Sequence, residues 1–207
     1  MSLYSPYDYL AFVIPGVVVL FQIAIGSGRE IGDPGAGLII LLLAAAFLIG
    51  HAVAAVAGWL QALAWGRPPG RRPDPLWGFA YTGAELERLT RELEARYGAG
   101  LSLTRLYQLA YTEIQHVGKD ARLQTINSQI AFYRNAAASL LVAAALAAFQ
   151  AATGQVSSVD PRVLIPGYLL GALLFIDRYR VFWTQFGDNV VRGFRILAKD
   201  QPKDAGG

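Results

Sequence analysis

A few polar side chains stand inside otherwise apolar stretches, and each is a candidate for chemistry. His51 follows Gly50 within the apolar run 37–65. A histidine at membrane depth is costly when charged, so its functional reading is a proton relay, a ligand or a pore. Its structural reading is a neutral ring hydrogen-bonded to another helix, with Gln22, Asn135, Ser139 and Gln150 as the polar neighbours on offer. Arg134 and Asn135 stand at the entry of a later apolar run. There Arg134 could line a pore, bind a lipid phosphate, or extend its charged head to the bilayer surface. His51, Gln22, Arg134 and Asn135 are therefore the ligand or pore candidates.

Two Pro-Gly pairs break the helical pattern in similar contexts, Val-Ile-Pro-Gly-Val at Pro15 and Gly16 and Leu-Ile-Pro-Gly-Tyr at Pro166 and Gly167. They could be the trace of an inverted repeat with broken helices around a central site, as in transporters. The plainer reading is two proline kinks whose freed carbonyls are satisfied by neighbouring helices. Gly167 and Gly171 also form Gly-x-x-x-Gly, and Ala136, Ala137, Ala143, Ala144 and Ala147 line the run before it. Small residues let helix backbones approach closely, so the third and fourth apolar runs are expected to make the tightest pair, within one chain or between two.

Known catalytic patterns do not fit. The chain has no His-Glu-x-x-His, Gly-x-Ser-x-Gly, Walker loop or dinucleotide fingerprint. With 0 cysteines it has no thiolate nucleophile or disulfide framework, and its 2 histidines stand too far apart in sequence to make a metal site alone. His116 reads as a solvated or helix-terminal residue. No catalytic residue, metal or cofactor is expected. The net charge of +3 comes from basic residues interspersed with acidic ones, which argues against nucleic acid as a partner.

The elements that must position these residues follow from how charge is distributed. Apolar residues make up 54% of the chain and charged residues 16%, and nearly all of the charge lies in the blocks 66–128 and 177–207. The remainder can cross a bilayer, which demands about 20 apolar residues per helix. The reading is an all-α polytopic membrane protein with four transmembrane helices and a small cytoplasmic helical segment between spans two and three. A first hairpin covers 1–65, with spans at about 9–26 and 37–65, and a second covers 129–186, with spans at about 130–153 and 163–183. The residues before 9 contain no Lys or Arg, so the first run lacks the basic start of a signal peptide and reads as a retained span.

Basic residues set the orientation. The loop between spans one and two holds Arg29 and that between three and four Arg162, against Arg67, Arg71, Arg72, Arg88, Arg91, Arg96, Arg105, Lys119 and Arg122 in the middle segment. The positive-inside rule then puts the middle segment and both termini in the cytoplasm of a cell with its inner (plasma) membrane crossed four times. Within 66–128, a Pro, Gly and Arg tract at 66–74 reads as a linker. Thr82 and Glu85 have capping-box spacing ahead of the stripe Leu86, Leu89, Leu93 and Tyr97, and Gly98 stands where a helix ends. A second helix is expected over about 102–116, with a break at 118–120.

From Ala121 no breaker precedes Gly154, so a helix of about 33 residues, near 50 Å, is expected to run from cytoplasm into membrane and to couple the two mechanically. Phe182, Phe186, Val190, Phe194 and Leu197 carry a helical period past the fourth span, and 187–207 ends in a disordered tail.

Ser5-Pro6-Tyr7-Asp8-Tyr9 leading to Pro15-Gly16, the Gly50-His51 pair, and Tyr133-Arg134-Asn135 together resemble a diffuse group of small bacterial four-span membrane proteins. The resemblance implies the topology and brings no activity with it. From the residues themselves, the first expectation is a non-enzymatic module that self-associates as a homo-oligomer in the lipid bilayer and receives a cytoplasmic protein partner through 75–128. One version is a pore-forming or membrane-perturbing effector. The alternative is a small transporter or transporter subunit with a site near His51 and the Pro-Gly breaks.

Overall fold

The structure, a computed structural model, describes residues 6–27, 35–64, 83–118, 121–155 and 158–200, with no account of the side chains of 6–8, 62–64 and 200. Six helices fill these residues: α1 Pro6–Gly26, α2 Ala36–Ala64, α3 Gly83–Tyr97, α4 Leu103–His116, α5 Ala121–Ala152 and α6 Pro161–Asp200. No strand occurs among the described residues. The linker 66–74, Thr82 of the capping box, Arg29, the break at 119–120 and the tail 201–207 lie outside them.

Local chemistry accounts for the helix ends. Ser102 stands in extended conformation ahead of α4 and its hydroxyl accepts from the Arg105 amide at 3.3 Å, a long but well-placed N-cap. Gly98 ends α3 with φ +100°, a value that a side chain would make strained. The unbroken reading from Ala121 is found as the 32-residue α5. Gly154 ends it at φ +71°, and the Gln155 amide reaches back to the Gln150 carbonyl at 3.0 Å, the long bond of a Schellman motif. The fourth apolar run and the period beyond it are one helix, the 40-residue α6.

The chain divides into two compact units, Met1–Arg71 with Ser128–Arg180, and Arg72–Asn127 with Val181–Gly207. Helices α5 and α6 supply residues to both.

The first unit contains α1, α2 and most of the apolar parts of α5 and α6. Among the described residues, three helical stretches are long and apolar enough to cross a membrane: Tyr9–Gly26, Ala36–Gln61 and Ala121–Ala152. The α2 stretch is the most apolar and the least buried, at 17%, with Leu38, Ile40, Leu41 and Leu48 turned outward. A helix in water does the reverse and hides its apolar face. The core of this unit is rich in small residues, among them Ala11, Ala46, Ala57, Ala136, Ala137, Ala138, Ala143, Ala144 and Ala147, with Val19, Val53 and Ile130 beside them.

The second unit buries a different set: Leu89 and Leu93 of α3, Leu106, Tyr107 and Ile114 of α4, Leu123 and Ile126 of α5, and Phe186, Val190, Phe194 and Leu197 of α6. The stripes expected on α3 and at the end of α6 lie on the faces that supply these buried residues.

Candidate functional site

The first unit holds its polar side chains in two layers. One begins at Pro15, which is fully buried inside α1. Proline has no N–H to give to the carbonyl four residues back, so the Ala11 carbonyl loses its partner within the helix. Asn135 on α5 replaces it, its Nδ2 donating to the Ala11 oxygen at 3.0 Å. The Asn135 Oδ1 in turn accepts from Arg134 Nε at 3.3 Å and Nη2 at 3.2 Å, while Arg134 Nη1 donates to Gln61 Oε1 of α2 at 3.4 Å. A proline break, an amide and a guanidinium thus link α1, α5 and α2. Such a chain meets the demand that backbone groups freed in an apolar medium find a partner on a neighbouring helix.

The other layer lies about 22 Å further along α5, at 1.5 Å per residue. The Tyr168 hydroxyl of α6 donates to Gln22 Oε1 at 2.8 Å, and Gln22 Nε2 donates to Gln150 Oε1 at 2.8 Å. Gly26 makes the room: a Cβ there would lie 1.9 Å from Gln150 Nε2. Between the layers, Ser139 is buried and returns its hydroxyl to the Ala136 carbonyl at 2.8 Å.

His51 belongs to neither layer. Its ring stacks on Phe12 with centroids 4.1 Å apart, meets Phe47 edge-on at 4.4 Å, and its Nδ1 lies 2.9 Å from the Phe47 carbonyl one turn earlier. The neighbours expected from sequence, Gln22, Asn135, Ser139 and Gln150, all turn to other partners. Of the four ligand or pore candidates, Arg134 and Asn135 stand together, Gln22 stands in the second layer, and His51 is exposed on the outer face of α2.

Helix approach at the glycines also differs from expectation. The close contacts are in α1 and α2, where a Cβ on Gly16 would lie 1.7 Å from the Ala46 carbonyl oxygen and one on Gly50 would lie 1.8 Å from that of Phe12. The two are reciprocal and one turn apart, so each glycine Cα faces a carbonyl of the other helix, as in a Cα–H···O contact. Gly167 has open space around it and Gly171 faces only the Leu140 side chain, so the Gly-x-x-x-Gly of α6 does not bring backbones together within the chain. Ala144 is buried, as its place on the small-residue face requires. The two Pro-Gly pairs are also unlike: Pro15 and Gly16 are buried in a helix contact, whereas Pro166 and Gly167 are exposed. The signal that sequence reasoning passed over was Ala46-x-x-x-Gly50, a second small-residue pair opposite Gly16.

Beside the first polar layer lies a cavity of about 280 Å³, with Gln61, Arg134 and Arg180 at its polar side and Ala138, Leu141 and Ile176 among its apolar walls. Charge and an accessible apolar surface meet there.

In the second unit the polar chemistry is ionic. Glu113 of α4 accepts from Arg96 Nε of α3 at 2.9 Å, from the second nitrogen of the same fork, and from the Tyr97 hydroxyl. The Arg96 hydrogen bonds hold the Glu113 carboxyl below its ordinary value against the opposing effect of burial, and the Tyr97 hydroxyl bond adds to the depression. Burial, and then the bond to Glu113, raise the Tyr97 phenol. A carboxylate so held is a poor base, which makes this cluster a clamp between α3 and α4. Glu92 of α3 similarly accepts from Arg195 of α6 at 2.9 Å and from Arg88 at 3.1 Å. Among the described residues no group of three or more His, Cys, Asp or Glu is placed to hold a metal ion.

No family model, no curated protein and no solved structure matches this chain.

Proposed function

We propose that the chain is a four-span protein of the cell inner (plasma) membrane, with both termini and the α3–α4 segment in the cytoplasm, acting as a non-enzymatic membrane module that receives a protein partner on its second unit. The observation that carries the fourth span is the first half of α6. Between Arg162 and Arg180 the helix covers about 27 Å, close to the hydrocarbon thickness of a bilayer. Its apolar part, 163–176, leaves Leu170, Leu173 and Leu174 more than half exposed, as a lipid-facing surface does. Charged residues close to both ends of this stretch make it shorter than the other three, and Asp177, Arg178 and Arg180 then fall at the interface.

The charged exterior of α3, with Glu85, Glu87, Arg88 and Arg91 exposed, suits a water-facing docking surface. Self-association is assigned to the outer face of α6 around Gly167. Gly167 leaves open space beside exposed Val163 and Leu170, room in which a second helix could approach closely.

The natural absence of cysteine makes the topology directly testable. Single variants Val159→Cys, Glu87→Cys and Lys199→Cys are exposed to a membrane-impermeant maleimide in intact cells. Val159→Cys is expected to react from outside, and the other two only after permeabilisation. Labelling of Lys199→Cys from outside, with Glu87→Cys protected, would mean three spans and would end the four-span reading.

A further inference from the structure

The cavity beside Arg134 combines two guanidinium groups with an apolar wall, and that pairing defines the chemistry of what enters it. Arg134 is held in place by the Asn135 and Gln61 amide oxygens, so its fork is preorganised. Arg180 lines the same cavity from α6, and Ala138, Leu141 and Ile176 continue it as hydrocarbon. Guanidinium groups match phosphate oxygens in charge and in fork geometry. Water-soluble phosphate would gain nothing from the apolar wall, whereas a lipid would use both.

Depth agrees. At 1.5 Å per residue, α5 covers about 28 Å from Arg134 to Thr153, and α6 about 27 Å from Arg180 to Arg162. Both guanidiniums therefore stand about one hydrocarbon thickness from the far ends of their spans, at the level of the cytoplasmic-leaflet phosphates. The volume of about 280 Å³ is at the lower edge of small-molecule sites, enough for a headgroup and the first part of a tail, with the rest left in the bilayer.

From this geometry we infer that the cavity is a binding site for an anionic phospholipid of the inner leaflet, its phosphate on Arg134 and Arg180 and its acyl chain along Leu141 and Ile176. The inference rests on the four-span reading, which sets the depth of the site.

The test uses the full chain purified in a neutral maltoside detergent and titrated with phosphatidylglycerol or phosphatidylcholine of identical tails, with bound lipid counted by native mass spectrometry. Phosphatidylglycerol is expected to be retained about tenfold more tightly, which corresponds to about 1.4 kcal/mol. Gln61→Glu places a carboxylate against Arg134 with almost no change of shape, and is expected to remove most of that preference. Arg180→Gln, at an exposed position, does the same if the first variant fails to fold. Arg192→Gln, which removes a positive charge from the second unit, is expected to leave the preference unchanged.

Equal retention of the two lipids overturns the site, as does a preference indifferent to Gln61→Glu and Arg180→Gln. Displacement of phosphatidylglycerol by inorganic phosphate alone overturns the lipid assignment in favour of a free anion. Labelling of Lys199→Cys from outside intact cells would instead fail the four-span reading itself, so the two failures are distinguishable.

Discussion

The two units of this chain solve the same problem, holding helices together, with opposite materials. The first packs largely through alanine, glycine and amide side chains, and leaves many of its leucines and isoleucines exposed. The second buries leucine, isoleucine and phenylalanine and pairs its charges at partly exposed positions, Arg96 with Glu113 and Arg195 with Glu92. On the proposed topology the difference is one of solvent. In lipid, burying a leucine against another helix gains nothing over leaving it among acyl chains, so close backbone approach and hydrogen bonds decide the packing. In water, the burial of large apolar side chains is the main favourable term.

The sharpest way to break this contrast is to remove one leucine from each unit. Leu106 is 0% exposed in the second unit, and Leu106→Ala is expected to destabilise it by about 2–5 kcal/mol in a denaturant titration followed by circular dichroism. Leu173 is 63% exposed in the first, and Leu173→Ala is expected to change stability by less than about 0.5 kcal/mol. Equal costs would mean that both units see the same solvent.

Glycine gives the next largest effect and reverses the ranking. Gly50→Ala drives a methyl into the Phe12 carbonyl, and backbone cannot yield without moving α1 from α2; a loss of about 1–3 kcal/mol is expected in detergent thermal stability. Gly193→Ala meets only the end of the Ile114 side chain at 2.9 Å, which can change rotamer, so its effect is expected to stay below about 1 kcal/mol.

The smallest effect is a dependence on pH confined to the second unit's ion pairs. Glu113 holds its proton less tightly when folded, chiefly because Arg96 bonds to its charged form. The unfolded chain therefore takes up the proton first. The stability added by the clamp is present in full above the ordinary carboxyl value of 4.5 and is lost as pH falls toward the depressed one. Glu113→Gln is expected to cost about 1 kcal/mol at neutral pH and to flatten this acid slope, measured as melting temperature against pH. The Gln22–Gln150 and Asn135–Ala11 bonds of the first unit carry no titrating group and contribute no such slope.

Sequence made the elements of this fold readable wherever a local rule was at work. Gly98 and Gly154 mark helix ends because only glycine sits easily at positive φ, and the stripe from Leu86 to Tyr97 repeats because α3 has one buried face. Partners far apart in sequence were hidden. Pro15 announces that the Ala11 carbonyl needs a donor, but nothing local says that Asn135 supplies it. Gly167 and Gly171 look like a close-packing pair, yet the pattern cannot say what stands opposite, and open space stands opposite Gly167. The sequence offers His51 interior amides as partners but does not say which way it turns, and the aromatic pair Phe12 and Phe47 holds its ring at an exposed position of α2. Arg134 was visible as a boundary residue, but the cavity it lines also needs Gln61 and Arg180, from two other helices.

The bond between Asn135 and Ala11 carries a consequence for how the protein is made. The donor is synthesised 124 residues after the acceptor. At ribosomal speeds of about 5–20 residues per second, α1 waits about 6–25 s for the side chain that completes its backbone. During that interval the proline notch must be served by water or by the insertion machinery. The emergence of α5 is then the event that seals it, so the amino-terminal hairpin acquires its final form only when the carboxyl half of the chain arrives.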